Sequence, residues 1–331
     1  MAILKSTHIR PSYTVGMQRY FAFGLHIRST SAIPGLVDIG KSDQIDLTVW
    51  VNRQPTPNEP AQPIFLESTL LGATHENRRL FRFPESGILW IRFDDGTDFY
   101  VNRDGTEIWT TWKSPYTVED MATYLLGPIL GYVLRIRGAV ALHASSFIAG
   151  DKAIALLGGA GAGKSTTVAA LALRGNNVLA DDVTVLAEDS NGFWALPSYP
   201  HLRLWPQSVE MLYGSTDCLK PITPNWDKRD FDLLDIGRFH AEPAHLSTIY
   251  VIGDRVEDEN APWIEEMDGQ QSFVHLVGNT YGNGLLDESM RTQEFGLLGR
   301  LLEHTKIKRV VPHISSSRLD QLCDVILNDC R

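Results

Sequence analysis

Hydrophobic positions in the first hundred residues recur in short segments that are typical of β-strands. Tyr20 to Ile27 and Ile45 to Val51 are rich in β-branched and aromatic residues, with Gly, Pro, Ser and Asn between them. Between Gly87 and Trp109, the pairs Asp95-Gly96 and Asp104-Gly105 separate three apolar segments, as hairpin turns do. The pattern predicts a meander from Gly87 to Trp109, and the proline-rich residues 52–63 are predicted to form a loop in the same β-rich region.

The pattern changes after Ser114-Pro115. Val118 to Leu134 has helical spacing, and its apolar part falls short of the roughly 20 residues that a membrane-spanning helix needs, so we expect a buried core helix. Apolar strands then alternate with helical segments, which is typical of an α/β layer. We therefore predict two domains, a smaller β-rich domain over residues 1–115 and an α/β domain over residues 116–331.

Composition and charge narrow the class of protein. The chain has 331 residues, 43% of them hydrophobic and 21% charged, as in packed globular proteins. Its net charge of −10 is spread along the chain without a basic stripe, which argues against nucleic acid as a partner. Its three cysteines lack metal-ligand spacing, and no apolar signal segment follows Met1. The expectation is a cytoplasmic protein without a membrane partner. The cysteines are Cys218, Cys323 and Cys330.

The most informative motif runs from Gly158 to Ser165 and matches G-x-x-x-x-G-K-S/T. A strand-like segment ends at Leu157 just before it, and an alanine-rich, helix-favouring segment follows it. In such a loop, backbone N–H groups surround phosphate oxygens, Lys164 reaches the terminal phosphates, and the Ser165 hydroxyl binds Mg²⁺. The alternative is a glycine-rich turn without a ligand. The predicted nucleotide-binding residues are Gly158, Gly159, Ala160, Gly161, Ala162, Gly163, Lys164, Ser165 and Thr166.

Two adjacent acids follow the next predicted strand. That strand, Val178 to Ala180, runs directly into Asp181 and Asp182, and only a short helix separates it from the glycine loop. Because buried carboxylates need a cation or another partner, we expect one acid to bind Mg²⁺ and the other to act as a general base. A capped strand end on the surface is the alternative reading. His143 precedes a strand that should pair with the strand before the loop. It is either a structural histidine or a further catalytic residue.

Three cations beyond the loop could stabilise a transferring phosphoryl group, although a solvated surface charge is the more common role for such residues. They are Arg203, Lys228 and Arg229.

Taken together, these motifs resemble the catalytic domain of HPr kinase/phosphorylase and its smaller relatives. The resemblance lies in Leu142 to Ser146, the glycine loop, Arg174-Gly175 and Ala180 to Asp182. Phe23 to Leu25 with Ser29, and Pro200 to Pro206, are similar to the related kinases of bacterial peptide-tailoring clusters, including lasso-peptide kinases. The resemblance implies an α/β P-loop kinase core similar to phosphoenolpyruvate carboxykinase, with ATP and Mg²⁺ and a serine acceptor.

The resemblance also implies roles for particular residues. Lys164 would hold the phosphates, Ser165 and Asp182 would bind Mg²⁺, and Asp181 would deprotonate the acceptor hydroxyl beside His143. The glycine-rich loop that the family uses for phosphorolysis has no counterpart in this sequence, so phosphorylase activity is not expected.

Three functions remain open at this level. The first is a kinase for a serine of a peptide or small protein, such as a lasso-peptide precursor, with the β-rich domain selecting the substrate. The second is a kinase for a small hydroxylated metabolite, and the third is a nucleotide-binding switch without acceptor chemistry. Assembly into a homo-oligomer is also left open.

Overall fold

The computed structural model describes residues 17–64, 78–282 and 287–330, and the chain is a mixed α/β protein. The prediction that no apolar signal segment follows Met1 concerns residues outside these ranges. Among the described helices, none combines the length and apolar character needed to cross a bilayer. The three cysteines are free thiols, and Cys323 is buried.

The first sheet contains eight strands from the described residues, in the order β1-β2-β3-β8-β7-β6-β5-β4. The predicted turns at Asp95-Gly96 and Asp104-Gly105 join β6 to β7 and β7 to β8, which confirms the meander. The strands are β1 (Gln18–Ala22), β2 (Leu25–Ser29), β3 (Leu47–Val51), β4 (Gln62–Ile64), β5 (Arg78–Arg82), β6 (Leu89–Phe93), β7 (Asp98–Val101) and β8 (Glu107–Thr111).

Two local predictions in this region were right about the kind of structure but wrong in its details. Tyr20 to Ile27 is a hairpin rather than one strand, because Phe23 and Gly24 both adopt left-handed backbone angles, with φ of 57° and 75°, and reverse the chain. The predicted loop at residues 52–63 ends early, since β4 begins at Gln62 and pairs with β5.

A helical segment follows as predicted and is buried against the first sheet. It consists of α1 (Val118–Tyr124), a π-helical turn (Leu125–Ile129) and α2 (Leu130–Ile136). Met121, Leu125 and Ile129 are fully buried among the inward-facing residues of the sheet. The same hydrophobic core includes Val183 and Val185, so it extends past the predicted boundary at Ser114-Pro115 and joins the two halves of the chain.

The remaining strands build a larger sheet and a small one. Within the described residues, nine strands form the larger sheet, and β15, β17 and β16 form the small antiparallel sheet. In the larger sheet β11 and β20 run parallel to β18, one on each side of it, so their carboxyl ends meet at one edge. The strands are β9 (Val140–Leu142), β10 (Ala144–Ala149), β11 (Lys152–Leu157), β12 (Val178–Ala180), β13 (Thr184–Asp189), β14 (Gly192–Leu196), β15 (His201–Leu204), β16 (Pro221–Thr223), β17 (Trp226–Asp232), β18 (Ala244–Ile252), β19 (Trp263–Glu266) and β20 (Lys306–Val311).

Helices cover both faces of the larger sheet, as expected for an α/β layer. One buried cluster includes Val168 of α3 and Ile326 of α7, and another includes Leu276 of α5 and Leu298 of α6. The strand, loop and helix order predicted around residues 153–173 is therefore observed, and it places the glycine loop at the carboxyl edge of the sheet. The helices are α3 (Lys164–Leu173), α4 (Pro206–Tyr213), α5 (Gly269–Gly278), α6 (Glu288–His304) and α7 (Leu319–Asp329).

Candidate functional site

The glycine loop, residues 158–163, joins β11 to α3 and turns sharply at its end. Gly163 has φ of 106°, a left-handed angle that a residue with a side chain rarely adopts, and α3 begins at the next residue. The Lys164 ammonium donates hydrogen bonds to the carbonyl oxygens of Gly158 (2.6 Å) and Gly159 (3.1 Å), so the side chain folds back over the loop. A cation and a helix N-terminus lie together there, which favours an anion.

Burial lowers the pKa of Lys164, while the nearby carboxylates of Asp182 and Asp181 act in the opposite direction. The residue is only 7% exposed, and its ammonium donates to the carbonyl oxygens of Gly158 and Gly159. A phosphate group would supply the negative charge that such a buried cation needs.

Asp181 lies next to the glycine loop and is hydrogen-bonded to residues of three different elements. Its carboxylate accepts hydrogen bonds from the hydroxyls of Ser145 (2.6 Å) and Ser165 (2.7 Å) on one oxygen, and from the backbone N–H of Arg203 (3.2 Å) on the other. Only 2% of the residue is exposed. These bonds tie β10, the start of α3 and β15 together, and they place a carboxylate directly against the loop serine.

Asp182 points into a different environment from its neighbour. The strand β12 ends at Ala180, and Asp182 has a left-handed φ of 67°, so the alternation of a regular strand does not apply to this pair. Its Oδ1 lies 3.1 Å from Nδ1 of His143, and both side chains are about one-third exposed. The prediction that the acids and His143 lie together near the loop agrees with this geometry.

The charges around Asp182 keep it ionised. Burial acts to raise its pKa, but the hydrogen bond and charge of His143, followed by the charges of Lys228 and Arg203, outweigh burial and hold the pKa well below its usual range. The His143 ring is itself held by Tyr281, whose hydroxyl lies 3.2 Å from the same Nδ1 atom. The acid and the imidazole therefore form a fixed pair at the wall of the site.

The loop, Asp182 and His143 line a cleft of about 400 Å³. Among the described lining residues, Asp182 is the single carboxylate. Five lysine and arginine side chains contribute to the lining, namely Lys164, Arg203, Lys228, Arg255 and Arg318. In a chain with a net charge of −10, this local excess of positive charge favours an anionic ligand such as a polyphosphate.

The structure separates the candidate cations that the sequence could not distinguish. Lys228 lines the cleft with its ammonium 5.1 Å from the centre of the Trp205 ring. Arg203 also lines it, whereas Arg229 is absent from the described lining and donates to the carbonyl oxygen of Asp227. Two of the three candidates are therefore placed to contact a bound anion.

Sequence reasoning missed one wall of the cleft. Arg255 follows β18, and residues 312–318, including His313 and Arg318, follow β20. Both loops begin at the carboxyl ends of strands parallel to β11, since β18 pairs with β11 and β20 pairs with the other side of β18. Open α/β sheets bind ligands at this edge. That rule could have identified these loops only if the order of the strands had been known.

The donor set fits a magnesium ion that is shared with a nucleotide. Among the described residues no group of three or more His, Cys, Asp and Glu side chains is arranged to hold a metal by itself. Mg²⁺ usually takes one or two protein carboxylates and completes its shell with water and substrate phosphates. The hydroxyl of Ser165 beside the carboxylate of Asp181 matches this requirement.

No protein-family model matches the sequence, and no curated protein matches it. Among solved structures, the chain is similar to the Hpr(Ser) kinase/phosphatase from Coxiella burnetii, with a TM-score of 0.33 and 13% sequence identity. The match covers 57% of this chain and 90% of that chain. A TM-score and an identity this low assign neither a fold family nor an activity to the protein.

Proposed function

We propose that the protein is a magnesium-dependent kinase that transfers the γ-phosphoryl group of ATP to a hydroxyl group. One observation carries the proposal. Two adjacent carboxylates at the glycine loop have different partners: Asp181 accepts the Ser165 hydroxyl, and Asp182 pairs with His143 in a cation-lined cleft. This division suits a phosphotransferase, in which one carboxylate can support the metal while the other receives the acceptor proton.

The residues of the loop would bind the substrate ATP. Backbone N–H groups of the glycine loop and the start of α3 would face the phosphates, and Lys164 would exchange its carbonyl partners for phosphate oxygens. Mg²⁺, when bound at Ser165 and Asp181, supplies charge neutralisation on the phosphate oxygens. Arg203 and Lys228 are placed to stabilise charge on the transferring group.

In the proposed transfer of the γ-phosphoryl group, Asp182 accepts the proton of the acceptor hydroxyl. The acceptor oxygen forms a bond to the γ-phosphorus, the bond from that phosphorus to the β,γ-bridging oxygen breaks, and ADP leaves with the bonding electrons. The proton of the hydroxyl passes to Asp182, which His143 holds in place. The low pKa of Asp182 makes it a weak base, so positioning and charge stabilisation carry most of the rate, as in phosphoryl transfer generally.

This proposal reverses the roles that the family resemblance implied for the two acids. The resemblance gave Asp181 as base and Asp182 as metal ligand. Asp181, however, is buried beneath the loop with all of its described contacts to protein donors, whereas Asp182 lines the cleft. An acceptor hydroxyl in the cleft would meet Asp182 first, which supports the assignment of Asp182 as base.

We further propose that the acceptor is a serine of a peptide or small protein. The support is the resemblance of the sequence motifs to peptide-tailoring kinases, together with exposed apolar side chains in the cleft lining. Trp205 is 51% exposed and Met211 is 43% exposed, and both belong to that lining. Exposed apolar side chains beside a polar cleft are the kind of surface that a peptide covers on binding.

The test compares two classes of acceptor under the same conditions. The protein is incubated with ATP and Mg²⁺, in one arm with serine-containing peptides and their serine-to-alanine counterparts, and in the other with small hydroxylated metabolites. We expect the serine peptides alone to gain the mass of a phosphoryl group. Phosphorylation of metabolites but not peptides would replace the peptide acceptor, and ATP binding without any transfer would establish a nucleotide switch instead.

A further inference from the structure

The π-helical turn between α1 and α2, Leu125–Ile129, lies against the candidate site and contains Gly127 and Pro128. In a continuous α-helix the N–H of residue 128 would donate to the Tyr124 carbonyl, but residue 128 is proline and has no N–H. The α-helical pattern is therefore interrupted here, and the wider π-turn follows α1. The Thr123 carbonyl oxygen, at the end of α1, has a second lone pair that a donor from outside the helix can use.

Arg203 uses that carbonyl. Its Nη1 donates a hydrogen bond of 2.8 Å to the Thr123 carbonyl oxygen, and its guanidinium lies 5.5 Å from the centre of the Tyr199 ring. The backbone N–H of the same residue donates to Asp181, and its side chain lines the cleft. The position of this cation in the site is thus fixed from the helical segment.

Gly127 in the same turn faces Asp182. A Cβ atom at this position would lie 3.2 Å from Oδ2 of Asp182 and 3.9 Å from Nη1 of Arg203. The first distance is shorter than an ordinary van der Waals contact, so a side chain here would have to move the carboxylate. The missing side chain of Gly127 therefore leaves the space in which Asp182 sits beside His143.

The helical segment takes its own position from the first sheet. Met121, Leu125, Ile129 and Val133 are fully buried in the core that this sheet forms. Protein interiors are close-packed, so a shift of the sheet is passed to the turn rather than absorbed between them.

We infer that the π-helical turn is a positioning element of the phosphotransfer site, through which the first sheet sets the places of Arg203 and Asp182. The inference rests on the proposed function for its kinetic consequences. Gly127 and the Thr123 carbonyl act through Asp182 and Arg203 and do not themselves contact the reacting atoms. The role of the β-rich half of the chain would then include holding the site in its active geometry.

The principal test is Gly127→Ala with Gly299→Ala as its matched control. Gly299 lies inside α6, and a Cβ added there meets nothing within 4 Å. Alanine favours helix over glycine, so Gly299→Ala should keep or raise the midpoint of thermal unfolding, whereas in Gly127→Ala the displaced carboxylate opposes that gain. Gly127→Ala should lower kcat by about 10- to 100-fold with the KM for ATP unchanged, since misplaced groups act on the transfer step. Gly299→Ala should leave both constants at wild-type values.

A second measurement does not depend on turnover. Nitrogen-15 NMR of the arginine side chains reports whether the Arg203 guanidinium is fixed, and its signals should broaden or exchange faster in Gly127→Ala and in Pro128→Ala. The second variant removes the proline that interrupts the α-helical pattern, so the turn can tighten and move the Thr123 carbonyl away from Arg203.

The outcomes separate the inference from the proposed function. Wild-type kcat and an unchanged Arg203 signal in Gly127→Ala would overturn the positioning role while leaving the kinase proposal intact. If the wild-type protein transfers no phosphoryl group, the proposed function fails, and the Arg203 signals in the two variants still decide whether the turn positions this side chain. A Gly127→Ala variant that does not fold leaves the decision to Pro128→Ala.

Discussion

The two acids should fail in different ways when each is replaced by asparagine. In Asp181→Asn, one carboxylate oxygen becomes an amide N–H₂ group, which can only donate. If that group faces Arg203, it meets a backbone N–H, and if it faces Ser145 and Ser165, it meets two hydroxyls that now donate to the acid. In either orientation a buried polar group loses its hydrogen-bond partner, which lowers the free energy of unfolding by about 1–3 kcal/mol.

Asp182→Asn should change stability much less. Its ion pair with His143 is about one-third exposed on both sides, so solvent screening limits its contribution to at most about 1 kcal/mol. The loss of a general base, by contrast, typically lowers the rate by roughly 10²- to 10⁴-fold. Asp182→Asn should therefore be folded, able to bind nucleotide, and nearly inactive.

The assay pairs urea unfolding with kcat measured across a range of Mg²⁺ concentrations. Asp181→Asn should lose stability and need more Mg²⁺ for half-maximal rate, whereas Asp182→Asn should lose kcat without a changed Mg²⁺ requirement. Asp151→Asn, at an exposed carboxylate in the turn between β10 and β11, is the control and should match the wild type. The reasoning is refuted if Asp181→Asn is as stable as the wild type, or if Asp182→Asn keeps its rate.

Three further predictions follow from single contacts. Lys164→Met should abolish nucleotide-dependent transfer, while circular dichroism should show an intact fold. If this variant were fully active, the assignment of the glycine loop to the site would be wrong. Lys228→Met should lower kcat because this cation lines the cleft, while Arg229→Met should not; equal kcat in the two variants would contradict the role of Lys228. Burial acts to lower the pKa of His201, but the hydrogen bond and charge of Asp230 outweigh it and raise the pKa above 6.5. The stability from this pair is therefore fully present below pH 6.5 and is lost as the pH rises through the folded pKa. Urea unfolding across that range should show the loss in the wild type but not in Asp230→Asn, and identical pH dependence in both would disprove the linkage.

Local patterns in the sequence predict the parts of the fold that depend on local chemistry. The Asp-Gly turns of the first sheet and the glycine loop before Lys164 lie where the sequence places them, because glycine at a left-handed position requires no tertiary support. The hairpin at Phe23-Gly24 was missed for the converse reason. A phenylalanine with a positive φ is held by its buried surroundings, and sequence gives no sign of them.

The sequence predicted those site residues that lie close to the glycine loop along the chain. His143 lies just before β10, which pairs with β11, and Asp181 and Asp182 follow β12, which pairs with β10. Their approach to the loop therefore follows from short connections. The partners of each acid did not follow, because they depend on the end of β12 and the left-handed turn at Asp182. The contribution of Arg255 depends on the strand order, which alternation of apolar residues does not reveal.

The central claim is that the cleft moves the γ-phosphoryl group of ATP to a hydroxyl, and transfer itself is its most direct measurement. Wild-type protein and Asp182→Asn are incubated with Mg²⁺, ATP carrying labelled γ-phosphate, and a mixture of serine-containing peptides, and the label is followed by mass spectrometry. The account predicts label on serine with the wild type and little or none with the variant. The claim would be contradicted if the wild type bound ATP without transferring label to any peptide, or if both proteins labelled the peptides equally.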